Sequence, residues 1–337
     1  MPLTDKVAFL SRPDAYPERP RRVEPVETHM SWVFLTDRHA YKLKKPVRYD
    51  FLDFSTLEAR RRDCADEVRL NRRLAPGVYL GTVPLTADAA GRLHLGGAGL
   101  PVEWLVRMRR LPAERTLDRV LRNGTADPDE LRAVLMRLCR FYAAAPPVAL
   151  APADYRRRFE DDVRANLREL TRPDYGGPPR QREAPSRVAA AQLDFLARRG
   201  DLLEARAREG RIVEAHGDLR PEHVYLLDPE PVIVDCLEFN RDFRLLDPAD
   251  ELAYLAVECD RLGAPEVGRL AFEIYRGVTG DAPPEALVAF YRSCRACLRA
   301  KIALWHLDEP PVRTPERWLG MAGDYLALAE QYVRGFA

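Results

Sequence analysis

The stretch Glu214-Ala-His-Gly-Asp-Leu-Arg-Pro-Glu-His-Val-Tyr-Leu226, followed by Pro231-Val-Ile-Val-Asp-Cys-Leu-Glu-Phe239, decides the fold of this 337-residue chain. Two carboxylates, Asp218 and Asp235, each follow a short lead-in, and the pattern predicts a β-hairpin that connects them and holds both side chains at one mouth. Paired acids beside a lysine suit phosphoryl transfer. One orients an acceptor hydroxyl and takes its proton, one holds magnesium, and the ammonium neutralises phosphate charge.

Working outward, the question is where such a lysine comes from. The chain has 48 Arg and only 5 Lys, and Lys42, Lys44 and Lys45 fall within four residues. Lysine offers a compact ammonium on a flexible stem, suited to meeting a phosphate as a point charge. Residues 31–36 are rich in β-formers, Asp37-Arg38-His39 reads as a turn, and 40–44 alternate with period 2. That predicts a β-hairpin with Lys42 and Lys44 on one face of its second strand. A capping box, Ser55-x-x-Glu58, opens a helix expected to reach about Ala75, with Glu67 inside it. Strand-like runs at 78–85 and 99–108 follow, separated by a Gly-rich hairpin at 92–97.

After Leu111-Pro112 the pattern turns helical, with helices expected at 115–123, 128–144, 153–170, 186–208, 248–262, 265–277, 283–305 and 315–334. Residues 171–185, rich in Pro, Gly and Arg, read as an exposed loop. The expected fold class is α+β: a small β-rich lobe with one helix over 1–110, and a larger, mainly helical lobe over 111–337 that carries the compact β island at 213–239.

Composition excludes several classes. There are 53 basic and 52 acidic side chains, a net charge of +1, which argues against a dedicated nucleic-acid binder. No window approaches 18 uninterrupted apolar residues and the start lacks a secretory pattern, so no membrane span and a cytoplasmic location are expected. Six scattered cysteines are too sparse for a disulfide framework, and Cys294-x-x-Cys297 lacks the further ligands a zinc site needs, so packed thiols are expected.

Singly, each candidate residue has a plainer role. Asp218 and Asp235 suit turns or caps, Lys42 and Lys44 a solvated strand face, Glu67 a helix surface, and His216 a hydrogen-bonded structural position. Their order, hairpin lysine, helix glutamate, His-x-Asp and strand-ended Asp, resembles the protein-kinase-like fold in its aminoglycoside and small-molecule phosphotransferase branch. His216-Gly-Asp-Leu-x-Pro221 is the most specific match. Glu27-Thr-His-x-Ser-Trp-Val-Phe34, Ala40-Tyr-Lys-Leu-Lys-Lys-Pro46, Phe51-Leu-Asp-Phe-Ser-Thr-Leu-Glu58 and Asp235-Cys-Leu-Glu-Phe-Asn240 resemble an uncharacterised bacterial subfamily often fused to a P-loop ATPase domain. No G-x-x-x-x-G-K-[ST] occurs here, so any such P-loop partner is expected to be separately encoded.

The resemblance implies an ATP-dependent phosphotransferase acting on a hydroxyl of a small molecule, with ATP and Mg2+ or Mn2+ as cofactors. Lys42 then contacts the nucleotide phosphates, with Lys44 as understudy on the same face, and Glu67 pairs with Lys42. Asp218 is the base, His216 buttresses its loop, and Asp235 binds magnesium. Adenine docks through backbone groups between Met108 and Leu111, around Arg109. Asp247 and Asp250 match a helix-start motif and equally suit N-cap acids. Thr28-His-Met-Ser31 stands where a glycine-rich phosphate loop would be, so Ser31 joins the nucleotide site through hydroxyl and backbone groups.

One departure bears on the metal. His223 replaces the usual Asn five residues after the base. Magnesium prefers oxygen ligands and imidazole suits softer ions, so His223 either ligates a metal, favouring manganese, or leaves a second metal to Glu222 or Glu238. The rival reading is a nucleotide-binding pseudokinase or regulatory module without transfer. A metallophosphoesterase, echoed by Asp37-x-His39 and Gly217-Asp218, lacks its remaining histidine motifs. Eight acids against two arginines over 235–260 suit either a cationic acceptor such as an aminoglycoside or a solvated helix face.

Overall fold

The computed structural model describes residues 1–49, 51–175, 179–308 and 314–337. The chain begins with helix α1 (Leu3–Leu10), then strands β1 (Glu24–Glu27), β2 (Ser31–Leu35), β3 (His39–Lys44), β4 (Arg48–Tyr49) and β5 (Leu52–Asp53). Helix α2 (Leu57–Asn71) and strands β6 (Tyr79–Ala87), β7 (Leu93–Leu95) and β8 (Leu100–Arg109) follow. Next come α3 (Leu117–Arg122), α4 (Pro128–Ala144), α5 (Pro152–Leu170) and α6 (Pro179–Arg208). Short strands β9 (Val213–Glu214), β10 (Val224–Tyr225), β11 (Val232–Ile233) and β12 (Leu245–Leu246) lead into α7 (Pro248–Arg261), α8 (Pro265–Thr279), α9 (Glu285–Trp305) and α10 (Pro315–Val333).

Two compact units result: Met1–Thr116 with Leu227–Phe243, and Leu117–Leu226 with Arg244–Ala337. The expected boundary after residue 110 therefore shifts, and Leu227–Phe243 joins the first unit. The cause is visible at the end of α2, where the Ile233 amide donates to the Leu74 carbonyl (3.4 Å) and the Cys236 amide to Asn71 Oδ1 (2.8 Å).

The first unit is built on an antiparallel sheet in the order β1-β2-β3-β8-β6-β7. Alternation along β3 sends Tyr41 and Leu43 into a core with Phe34, Leu85, Leu105, Leu10 and Tyr16, and sends Lys42 and Lys44 to the other face. Phe34, Leu43 and Leu10 are fully buried, and each such side chain contributes about 1.5–3 kcal/mol. Helix α1, which the sequence reading did not anticipate, covers that apolar face. Buried Glu103 on β8 ties both helices to the sheet, accepting from Lys6 of α1 (2.8 Å) and from Arg60 of α2 (2.9 and 2.8 Å). The region 92–97 is not merely a turn, since β7 pairs with β6 there.

The cap of α2 also differs by one residue. Ser55 turns back to Asp53, donating from both amide and hydroxyl (2.9 and 2.5 Å), so Thr56 becomes the N-cap and accepts from the Ala59 amide. Glu58 pairs with Arg61 and Arg62 instead of closing the box.

In the second unit the expected helices are present among the described residues, most within two or three residues of the predicted ends. The exception is α6, which starts at Pro179 and so occupies part of the expected loop; Pro173–Tyr175 forms a 3₁₀ turn with Tyr175 buried, and 176–178 lie outside the described residues. Phe159, Phe195, Phe290 and Tyr291 center the core, and α7 is buried from Pro248 to Cys259. All six cysteines are buried free thiols, Cys294 and Cys297 among them on α9.

Candidate functional site

Two constellations carry chemistry, one in each unit. In the first, β3 delivers both lysines to the face that α2 covers. Lys42 Nζ donates to Glu67 Oε1 and to Asp235 Oδ1, both at 3.0 Å. Lys44 Nζ lies 2.6 Å from Glu67 Oε2 and 2.6 Å from Asp63 Oδ2, and also donates to Glu238 Oε1. Burial works against both ammonium charges. The carboxylates outweigh it, Asp235 and Glu67 at Lys42 and Glu238, Glu67 and Asp63 at Lys44, and both pKa values stand well above the ordinary lysine value. Burial pushes Glu67 upward, against the pull of both lysines.

The two lysines are not equivalent. The Lys44 side chain is 1% exposed, whereas that of Lys42 is 16% exposed and that of Asp235 46%. Lys44 is thus no understudy for phosphate contact: it is sealed among carboxylates. Those of Asp63, Glu67 and Glu238 place ligand oxygens within 4.8 Å of one another, a spacing fit for a metal ion, and the Lys44 ammonium is the cation that fills it.

Asp235 is held by its backbone. Its φ of 61° is left-handed, uncommon for a residue other than glycine and a conformation that Asp tolerates better than most. The Asp235 amide donates to the Tyr79 hydroxyl (3.1 Å), and Arg73 donates to Cys236 Sγ (3.2 Å). The segment is pinned and its carboxylate is turned toward solvent.

Two expected nucleotide contacts change. Ser31 is buried (3% exposed), and the Thr28–Ser31 turn spends its groups on itself: the Ser31 amide donates to Thr28 Oγ1 (3.0 Å), and the Ser31 carbonyl accepts from Thr28. Arg109 and Arg110 give their amides to the Val78 and Arg38 carbonyls (2.9 and 2.8 Å). The amides of these two residues are therefore engaged within the first unit.

In the second unit, Gly217 turns the loop with φ 88° and Asp218 follows it. Buried Glu251 of α7 holds the loop from below, accepting from the amides of His216 (3.1 Å) and Gly217 (2.5 Å) and from the Tyr142 hydroxyl (2.6 Å). His216 is fully buried, and its Nδ1 accepts from the Asp218 amide (3.3 Å). The Asp218 carboxylate, 30% exposed, accepts from Tyr254 (3.2 Å) and lies 3.3 Å from Arg220.

His223 is engaged at both ring nitrogens. A guanidinium only donates and a carbonyl only accepts. Nε2, 3.0 Å from Arg220 Nη2, is therefore the acceptor, and Nδ1, 2.8 Å from the Asp218 carbonyl, carries the proton. Both ring nitrogens are committed, so His223 ties down the loop instead of presenting a lone pair to a metal.

Part of the acid-rich run 235–260 is spent on internal ion pairs, while Asp235 and Asp242 keep exposed side chains. Asp247 caps α7 and pairs with Arg206, Asp250 pairs with Arg295, and Glu258 with Arg299, all buried or nearly so. Glu251, Tyr254, Asn71 and Tyr79 went unnoticed in the sequence. For Glu251 a signal existed: an acid directly before the apolar run Leu252-Ala-Tyr-Leu-Ala-Val257 must be paired if buried.

With this geometry in view, the chain resembles solved small-molecule kinases. It matches the GDP complex of aminoglycoside 2'-phosphotransferase-IIIa at a TM-score of 0.55, 14% identity and 99% coverage of both chains. A choline/ethanolamine kinase family protein from Mesorhizobium loti matches at 0.53 and 16%, with 98% of both covered. An aminoglycoside phosphotransferase APH(4)-Ia in ternary complex with AMP-PNP and hygromycin B matches at 0.52 and 13%, with 94% of both covered. The fold is that of the aminoglycoside phosphotransferase-like branch of the protein-kinase-like proteins. No family model matches the chain. It is 33% identical over 281 residues to the uncharacterized protein Rv2004c of Mycobacterium tuberculosis and to the uncharacterized protein Mb2027c of Mycobacterium bovis, covering 82% of this chain and 53% of each relative. The chain spans about half the length of these mycobacterial relatives.

Proposed function

We propose that the chain is an ATP-dependent phosphotransferase that moves the γ-phosphate to a hydroxyl of a small molecule, in the class of a sugar, amino sugar or aminoglycoside-like acceptor. The observation that carries this reading is the Lys42 ammonium held 3.0 Å from both Glu67 and Asp235. That arrangement keeps one cation charged and aimed beside a solvent-facing carboxylate, as phosphate binding requires. The nucleotide complexes of the similar phosphotransferases support the cofactor.

In this reading Asp218 accepts the proton of the acceptor hydroxyl while that oxygen bonds to the γ-phosphorus and the bond to the β-phosphate oxygen breaks, releasing ADP. Tyr254 and Arg220 stabilise the Asp218 carboxylate and orient it. Lys42 neutralises phosphate oxygens, and Glu67 keeps its stem in place. The half-exposed Asp235 carboxylate is an oxygen donor that fits magnesium, which would neutralise phosphate charge; Glu238 and His223 are already engaged.

A phosphorylation screen across sugars, amino sugars and aminoglycosides with labelled ATP tests the proposal. Transfer is expected in the wild type, and Asp218→Ala should abolish it while leaving ATP affinity nearly intact. Loss of affinity instead removes Asp218 from the role of base. The double engagement of His223 favours one rival, a module that binds nucleotide without transfer. Single-turnover assay separates the two, since a module leaves ATP intact.

A further inference from the structure

The ionic cluster of the first unit contains a division of labour that the phosphotransfer reading does not use. An ammonium has three N–H donors. Around Lys44, Glu67 and Glu238 accept hydrogen bonds, and Asp63 adds a third carboxylate as an ion pair at 2.6 Å. Around Lys42 two carboxylates, Glu67 and Asp235, take two. Lys42, 16% exposed beside the half-exposed Asp235, is thus equipped to exchange a partner, whereas Lys44, 1% exposed, is enclosed by three acids. Glu67 bridges them, with one oxygen on each lysine.

The two sides meet pairwise. Lys42 and Lys44 are two residues apart on one strand face, and Asp235 and Glu238 are three apart on the pinned segment. Each lysine takes one acid of that segment. When an incoming phosphate draws the Lys42 ammonium away, its bond to Asp235 loosens, but the Lys44–Glu238 pair is sealed from solvent and has no reason to change.

We propose that Lys44 is a positioning residue: it fastens the Asp235–Glu238 segment to β3 and α2, so that the Asp235 carboxylate stays in place whatever Lys42 binds. This rests on the reading of Asp235 as the metal-holding acid, and it gives Lys44 and Glu238 a role distinct from nucleotide contact. Partners that orient a metal-holding group commonly change metal affinity about 10- to 100-fold when removed.

The test uses Lys44→Met and Glu238→Gln in the full chain, with Lys42→Met for contrast. Hydrogen exchange is read over residues 234–239, and AMP-PNP binding is titrated with and without Mn2+. Lys44→Met is expected to speed exchange of the Cys236 amide and to raise the Mn2+ needed for half-maximal AMP-PNP binding about tenfold or more, with metal-free AMP-PNP affinity unchanged. Lys42→Met should do the reverse, weakening AMP-PNP and leaving the exchange as it was. Glu238→Gln cuts the same tether from the other end while leaving Lys44 paired with Asp63 and Glu67; it should repeat the Lys44→Met pattern and serves alone if that variant does not fold. Wild-type exchange and metal requirement in both variants overturns the proposal. If the wild type binds no AMP-PNP, the kinase reading fails, and the exchange data alone decide whether the tether exists.

Discussion

Around Asp235 the buried acids of the first unit lean on lysines, whereas in the second unit they lean on arginines. Arg206 meets Asp247 with two nitrogens (2.6 and 2.8 Å) and Asp281 with two more contacts, and Arg295 grips Asp250 at 2.7 and 2.6 Å. A guanidinium fork fixes geometry, while an ammonium on a flexible stem moves between partners. In a chain with 48 Arg and 5 Lys, two of the five lysines meet the acids around Asp235.

The most damaging way to break this comparison is in the second unit. Arg206→Met strands Asp247 and Asp281 in the interior and should cost about 3–5 kcal/mol, read as a lowered urea midpoint. Lys42→Met is its counterpart: transfer should fall roughly 100- to 1,000-fold, while stability changes by about 1 kcal/mol or less because Asp235 is half exposed and Glu67 keeps Lys44. Equal stability losses in the two variants would erase the distinction.

Glu251→Gln sharpens it further. The amide keeps one acceptor oxygen but turns an NH2 toward donors of the His216–Gly217 loop, for a cost of about 1–3 kcal/mol and a lowered kcat with little change in KM for ATP. Alkaline pH separates lysine from arginine directly. The folded pKa values of Lys42 and Lys44 are raised, since their carboxylates outweigh burial. Their stabilisation is therefore complete below about pH 10.4 and lost as the pH climbs through the raised values. The melting difference between wild type and Lys44→Met should be full at pH 9 and shrink above pH ~10.5, while that for Arg206→Met persists. The smallest effect concerns the thiols. Burial pushes Cys64, Cys139 and Cys297 up to about 12, so iodoacetamide at pH ~8 should label none of them before denaturation.

Much of this arrangement is legible without coordinates because periodicity reports faces. Alternation at 40–44 places both lysines together, and helical spacing places Glu67 on α2. What periodicity does not report is depth. Lys42 and Lys44 read alike along the strand, and only the convergence of Asp63, Glu67 and Glu238 from two other segments separates the partly buried one from the sealed one. The surroundings of His223 are hidden for a related reason: its hydrogen bonds to Arg220 and the Asp218 carbonyl arise from a local turn. Helix α1 escaped notice because eight residues offer little amphipathic signal, and its purpose is set by the sheet face it covers.

The left-handed backbone of Asp235 has a practical consequence for anyone altering that position. Alanine there would remove the carboxylate and at once impose an unfavourable torsion, confounding two defects in one variant. Asparagine, which tolerates the same torsion, is the cleaner replacement, and its loss of function would be chemical in origin.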